Sequence, residues 1–269
     1  MLRLTLHPYR LAFLICLQTA FLCFSCAVSE KSHRPEPSIP WDTKTSDQVL
    51  ECLKHDQEKI TDLAAAFSLT VDPPTQGRPS NMRGILFFSK RLEETSLRIK
   101  SLGPFGRILF DLLQTGNDLQ IYVPSRKTLY LGKTNSTLQT QNVWSDMLRT
   151  IFADFSELKI APRADLTFKN GTVIVPLVHG KIIINSKTGL VRERHEQEKV
   201  IFYDRYEQKS GLPPIPTHIE VQKIDSTLHA VCRLSHVRVN SRLSGVFDLS
   251  AYKPKVIRDL NDLEMKTRD

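Results

Sequence analysis

Residues 82–132 read MRGILFFSKRLEETSLRIKSLGPFGRILFDLLQTGNDLQIYVPSRKTLYLG, and the pattern in this stretch decides the fold. Met82 to Ser89 carries the unbroken apolar run Ile85-Leu86-Phe87-Phe88. From Glu94 to Leu102 the chain alternates, with Leu97 and Ile99 on one side and Arg98 and Lys100 on the other. Successive side chains of a strand point to opposite faces, so this alternation predicts a half-buried strand. Gly103-Pro104-Phe105-Gly106 turns the chain and Arg107 to Gln114 runs back. Gly116-Asn117 turns it again, into Leu119, Ile121 and Val123 alternating with Gln120 and Tyr122. Pro124-Ser125-Arg126-Lys127 precedes one more run, Thr128 to Lys133. Strand-length segments recurring every ~8–12 residues with turn chemistry between them predict an antiparallel meander.

Upstream, Thr45 with Gln48 three residues on has the form of a capping box. Behind it Leu50, Leu53, Gln57, Ile60, Ala64 and Phe67 recur at helical spacing, which predicts an amphipathic helix of about five turns. Phe67 to Val71 then begins the strands. Downstream of the meander, Val143, Met147, Leu148, Ile151, Phe152 and Phe155 predict a second, shorter amphipathic helix. Leu166–Lys169 and Thr172–Val178 flank Asn170-Gly171, the strongest short hairpin signal in the chain. Further strands are expected at Lys181–Asn185, Leu190–Glu193, Val200–Tyr206, His218–Lys223, Leu228–Val239 and Gly245–Leu249. The expected fold is mainly β with α. A single strongly curved antiparallel sheet, an open or incomplete β-barrel over residues 45–250, is covered by the two amphipathic helices. Residues 251–269 are expected to be a polar tail, a short helix or frayed end.

The N-terminus has the layout of an export signal over residues 1–25. Arg3 and Arg10 precede an uncharged run from Leu11 to Cys26. That run falls short of the ~20 apolar residues that span a bilayer. It ends in Cys23-Phe24-Ser25-Cys26-Ala27, which resembles the lipobox of bacterial lipoproteins. The resemblance implies lipidation of Cys26, and Ala27 after it implies the outer membrane, facing the periplasm. Several acyl chains on one residue give stable anchoring. The alternative is an ordinary signal peptide with an incidental cysteine. Residues 26–44 carry Pro35, Pro37 and Pro40 among charges and serines, so they read as a disordered tether. Beyond them only Cys52 and Cys232 remain. One disulfide and two unpaired thiols are both open readings.

With 37 Lys and Arg against 29 Asp and Glu the chain is basic, yet the cations are scattered. A nucleic-acid site concentrates them, so no nucleic-acid partner is expected. No histidine and cysteine spacing suits a metal, and no cofactor loop or activated nucleophile is evident. No enzyme, metal or cofactor is expected.

The 82–132 block also resembles the LolA/LolB-like family of lipoprotein carriers and receptors, in particular its outer-membrane receptor branch. Arg83-Gly84 precedes an apolar strand, and Leu97-Arg98-Ile99 runs into the Pro104-Phe105-Gly106 corner. Leu119 to Pro124 follows, and much later Leu212-Pro213-Pro214-Ile215-Pro216 leads into Ile219 and Val221. The resemblance makes Arg83, Gly84, Pro104 and Gly106 structural markers. It implies an apolar half-barrel that holds the acyl chains of lipoproteins or lipids, with a periplasmic carrier protein as a candidate partner. Candidates to line the cavity are Phe87, Phe88, Leu97, Ile99, Phe110, Leu119, Ile121, Phe152 and Phe155, with Phe105 a further aromatic of that set. The same residues serve equally well as a solid core, in which case the protein is a structural or interaction lipoprotein on the same scaffold. The receptor branch has an extra hairpin with a protruding apolar residue. Here Lys90 to Thr95 is a short link whose one apolar residue is Leu92.

Overall fold

Alternation along the chain becomes one sheet. The computed structural model describes residues 41–72, 79–91, 94–133, 160–161, 165–224, 228–243 and 245–263. The signal segment, Cys26, the tether up to residue 40, Leu92 and the second helix with Phe152 and Phe155 lie outside the described residues. Helix α1 (Ser46–Lys59) precedes β1 (Asp62–Asp72), β2 (Ser80–Ser89), β3 (Ser96–Leu102), β4 (Ile108–Thr115), β5 (Asp118–Val123) and β6 (Thr128–Lys133). The second half supplies β7 (Thr167–Lys169), β8 (Thr172–Leu177), β9 (Gly180–Asn185), β10 (Val191–His195), β11 (Lys199–Glu207), β12 (Ile215–Lys223) and β13 (His229–Val239), and β14 (Val256–Asp259) follows.

These fourteen strands form a single sheet in the order β14-β6-β5-β4-β3-β2-β1-β13-β12-β11-β10-β9-β8-β7. Each half is a meander of sequence neighbours, and the halves join where β1 pairs antiparallel with β13. The sheet does not close on itself, because β14 and β7 remain as its edges. At the β7–β8 hairpin Asn170 and Gly171 both adopt positive φ, 50° and 72°, as the two-residue turn demands.

Register assigns the faces. Leu86, Ile99, Leu112, Ile121 and Tyr130 stand opposite one another across β2 to β6. Leu69, Cys232 and Ile219 continue the same inner face across β1, β13 and β12. All are buried, and each such aliphatic contributes roughly 1.5–3 kcal/mol of transfer free energy. Gly84 belongs to this face for a steric reason. A Cβ there would lie 2.2 Å from the Lys100 carbonyl oxygen and 2.6 Å from the Phe67 ring. The Arg83-Gly84 marker is thus a place where an aromatic ring lies against bare backbone.

Three expectations change. The first helix ends at Lys59, and Ala64 and Phe67 belong to β1 instead. Asn240, from beyond β13, makes the break: its Oδ1 accepts from the Thr61 and Asp62 amides at 2.8 and 3.2 Å, and its Nδ2 donates to the Lys59 carbonyl at 2.7 Å. A distant side chain supplies the partners that a helix end lacks, and local periodicity cannot show it. Gly245–Leu249 is not a strand, and the described part of the tail carries a strand before its one short 3-10 turn, Leu260–Asp262. Residues 256–259 pair parallel with β6 as β14, and Leu260, 1% exposed, packs beside Gly132 in the core.

The reason lies on the outer face, where Arg98 and Asp111 form a buried ion pair. Arg98 Nε and a terminal nitrogen donate to the two Asp111 oxygens at 2.8 and 2.6 Å. The other terminal nitrogen donates to the carbonyls of Asp248, at 3.0 Å, and Val246. Tyr252 donates to Asp111 at 2.7 Å and stacks on Tyr122 with ring centroids 4.3 Å apart. Burial and the hydrogen bond to Asp111 push the Tyr252 phenol up to about 12. Burial works against the Arg98 charge, but the hydrogen bond and charge of Asp111 raise its pKa above the usual arginine value. The tail is therefore strapped over β3, β4 and β5.

Candidate functional site

Helix α1 closes its N-terminus with the capping box. Thr45 N donates to Gln48 Oε1 at 2.9 Å, and Gln48 N donates to Thr45 Oγ1 at 3.4 Å. Its buried side, Val49 and Leu53, seats on Val173, Val175, Leu177, Ile182 and Ile184 of β8 and β9, with Trp41 beside them. The C-terminal half of the helix stands off the sheet and leaves an apolar cleft of about 160 Å³.

Leu53, Asp56 and Gln57 of α1 and Ile60 just after it form one side of that cleft, and Ile182, Val191, Arg194, Tyr203 and Ile219 of β9 to β12 form its floor. Pro213, Pro214, Ile215 and Pro216 make the wall. Prolines carry no amide donor, so this stretch presents hydrocarbon without unsatisfied backbone N–H groups. Gln208 Nε2 holds the approach by donating to the Leu212 carbonyl at 2.7 Å. Burial raises the Asp56 carboxyl above its ordinary value, against the pull of Lys59 and His55.

The register places Arg194 in an apolar row. It lies opposite Ile182 on one side and Ile201 on the other, and the row continues through Val221, Ala230 and Val71. A bulge between Val191 and Glu193 sets both Val191 and Arg194 toward the cleft. The run Arg192-Glu193-Arg194-His195-Glu196 reads in sequence as a solvated charge cluster. Strict alternation would put Val191 and Arg194 on opposite faces, so only the register reveals this residue.

The aromatic and aliphatic candidates lie elsewhere. Phe88, Ile99, Leu119 and Ile121 are buried in the large core that β1 to β6 share with β11 to β13, with Leu97 and Phe110 packed against it. Phe87 stands on the outer face, opposite Ala64 and Arg98. Phe105 lines nothing. It is fully exposed at the β3–β4 corner, held at φ 60° between Pro104 and Gly106. Leu109, Val178, Ile224 and Val256 are also exposed and lie at or next to turns on that same rim of the sheet. Arg107, Arg126, Lys127, Lys181 and Lys255 are exposed among them. An exposed apolar corner is thus present on the β3–β4 turn. Arg83 is exposed beside it at the start of β2. Cys52 and Cys232 are both free thiols, Cys52 on α1 and Cys232 inside the core, where burial pushes its thiol up to about 12.

No protein-family model matches the sequence, and no curated protein matches it. Solved structures do. A DUF1329 family protein from Desulfovibrio piger superposes with a TM-score of 0.56 at 12% identity, over 77% of this chain and 97% of that one. A LolA superfamily protein from Nitrosomonas europaea gives 0.52 at 16% identity, over 76% and 98%. A domain from Vibrio parahaemolyticus, assigned to outer membrane lipoprotein sorting, gives 0.51 at 13% identity, over 74% and 94%. At such identities the likeness speaks for the fold: the chain has the LolA-like fold that its 82–132 block resembles.

Proposed function

We propose that this protein binds the acyl chains of lipoproteins or lipids in the cleft under α1, as a member of the cell envelope held to the outer membrane through acylated Cys26. The observation that carries the reading is an apolar, proline-walled cleft beneath the amphipathic helix of a LolA-like sheet. Each methylene moved from water into such a site contributes about 0.8 kcal/mol, so a short length of alkyl chain suffices for binding. No covalent chemistry is involved. The rim that carries Phe105, Leu109 and Ile224 among lysines and arginines suits an anionic bilayer surface, where apolar insertion and charge act together. A periplasmic carrier protein is the partner that would deliver or collect the cargo.

Native mass spectrometry of protein purified from cells tests the binding. Co-purifying lipid is expected with the wild type and its loss with Leu190→Arg, a half-buried position at the cleft. Repeated lipid-free spectra would favour a structural envelope lipoprotein instead, a reading that the filled core running from β1–β6 across β11–β13 supports. The anchor is tested by Cys26→Ala and by globomycin, either of which should shift the mass and release the protein from membranes. An unchanged mass and membrane fraction would remove the anchor from the proposal.

A further inference from the structure

The strand that the tail adds to the sheet ends it in an edge with exposed hydrocarbon. β14 is the terminal strand on its side, and β6 is its one strand neighbour among the described residues. All four of its residues are exposed, Val256 at 40% and Ile257 at 63%. Leu129 and Leu131 of β6 lie on the same face as Ile257, and Leu131 is also exposed. The Val256 amide donates to the Lys127 carbonyl at 3.4 Å. Alternate residues of a paired strand turn their backbone groups to opposite sides, so Ile257 directs its N–H and C=O to the open edge. Tyr252, bonded to Asp111, and Leu260, in the core, hold the segment at its two ends. A fixed row of outward backbone groups beside exposed β-branched side chains is a template for another strand.

We propose that β14 pairs antiparallel with β14 of a second copy of this chain, so that two sheets run into one across a two-fold axis. Such an axis keeps the faces of the two sheets in line, so each register is centred on one residue that meets its own copy. Centring on Arg258 or on Asp259 sets like charges against each other, which is destabilising. Centring on Val256 pairs Ile257 with Lys255, whose amide already donates to Lys127 at 2.8 Å. Centring on Ile257 joins the two isoleucines and sets Arg258 opposite Val256. It also places Lys255 opposite Asp259 at both ends of the pair, and opposite charges in that position attract. Asp259 has a further contact within its own chain, and a carboxylate accepts several donors. The Ile257 pair exchanges two backbone hydrogen bonds, and its side chains cover one another. The edge is thus self-complementary, as an isologous interface requires. The pairing is independent of the acyl cleft, which lies under α1 against β9 to β12.

Two readouts on the full-length chain in mild detergent test the pairing. Sedimentation velocity should give twice the monomer mass for the wild type and the monomer mass for Ile257→Lys, with the same thermal melt for both. The second readout is cross-linking. Opposite residues of a hydrogen-bonded pair have Cα atoms about 5.5 Å apart, inside the ~4.4–6.8 Å that a disulfide spans. Under mild oxidation Ile257→Cys should therefore run as a covalent dimer on a non-reducing gel. Arg258→Cys, two residues out of step with its copy, should stay monomeric. Ile224→Cys, exposed on the other half of the sheet, measures chance encounters. A monomeric wild type with no Ile257→Cys cross-link would overturn the proposal. So would a dimer that persists in Ile257→Lys, since it would be built on another surface. Ile257→Cys joined to a different protein would overturn the second copy as the occupant. A cross-link through Arg258→Cys in place of Ile257→Cys would overturn the register and the charge argument behind it.

Discussion

The two halves of the sheet share a topology and differ in what they do with their faces. From β1 to β6 the inner face is closed, and over β3 to β5 the outer face is closed as well. The inner one is filled by Leu86, Phe88, Ile99 and Tyr130, and the outer one is strapped by the tail through Arg98 and Asp111. From β9 to β12 the inner face is left partly uncovered beneath α1. Each half also sets an arginine in mid-strand. Arg98 has both oxygens of Asp111 and two backbone carbonyls around it. Arg194 shares Glu196 with Lys199 at the border of a cleft. A strand arginine that is enclosed by its own chain builds the fold.

The sharpest way to break this contrast is to remove the enclosed arginine. Arg98→Ala should lower the unfolding free energy by about 3–5 kcal/mol, because Asp111 is left charged and buried, and denaturant titration reads it directly. Replacing Arg98 and Asp111 together should be less damaging than the sum of the single changes. A loss below about 1 kcal/mol for Arg98→Ala would show that the strap is incidental.

Next in size are core truncations on the two sides. Leu86→Ala, in the filled half, should destabilise by about 4 kcal/mol, and Leu53→Ala, whose side chain already borders free space, by about 2 kcal/mol, within the range set by how far a site collapses. Equal losses would mean that the cleft side packs as tightly as the other. Gly84→Ala follows, at about 1–3 kcal/mol, since its new methyl must displace the Phe67 ring or the Lys100 carbonyl.

Sequence made much of both halves legible where the signals are local. The Leu97–Ile99 alternation, the Gly116-Asn117 turn and the Asn170-Gly171 hairpin each depend on a few adjacent residues, and the strands around them fell within a few positions of expectation. What stayed hidden depends on partners far along the chain. Asn240 ends α1 across 180 intervening positions or so. Arg98 draws the tail into the sheet, turning a polar C-terminus into β14. The cleft was displaced for the same reason: an apolar residue looks alike in sequence whether it fills a core or borders a gap. The Leu212–Pro216 stretch was visible as a marker of resemblance, but its place as the cleft wall needed the fold. Arg194 was concealed by the bulge that turns it inward.

The smallest expected effect sits at the seam between the halves. His229 on β13 contacts Asp72 of β1 through Nδ1 at 3.0 Å and Glu220 of β12 through Nε2 at 2.9 Å. Burial works against its charge, but hydrogen bonds to Asp72 and Glu220 raise its pKa above the ordinary histidine value. A group whose folded pKa is raised adds stability in full below its unfolded pKa, about 6.5, and loses that contribution as pH rises through the folded value. His229→Gln should therefore destabilise most in mildly acidic buffer, and the difference from wild type should shrink on going to alkaline pH. The contacts are partly exposed, so the effect should stay below about 1 kcal/mol. Denaturant titrations from pH 5.5 to 8.5 measure it. A difference that holds constant with pH would mean that His229 joins the strands as a neutral ring, and that the seam between the filled and the open half does not respond to protons.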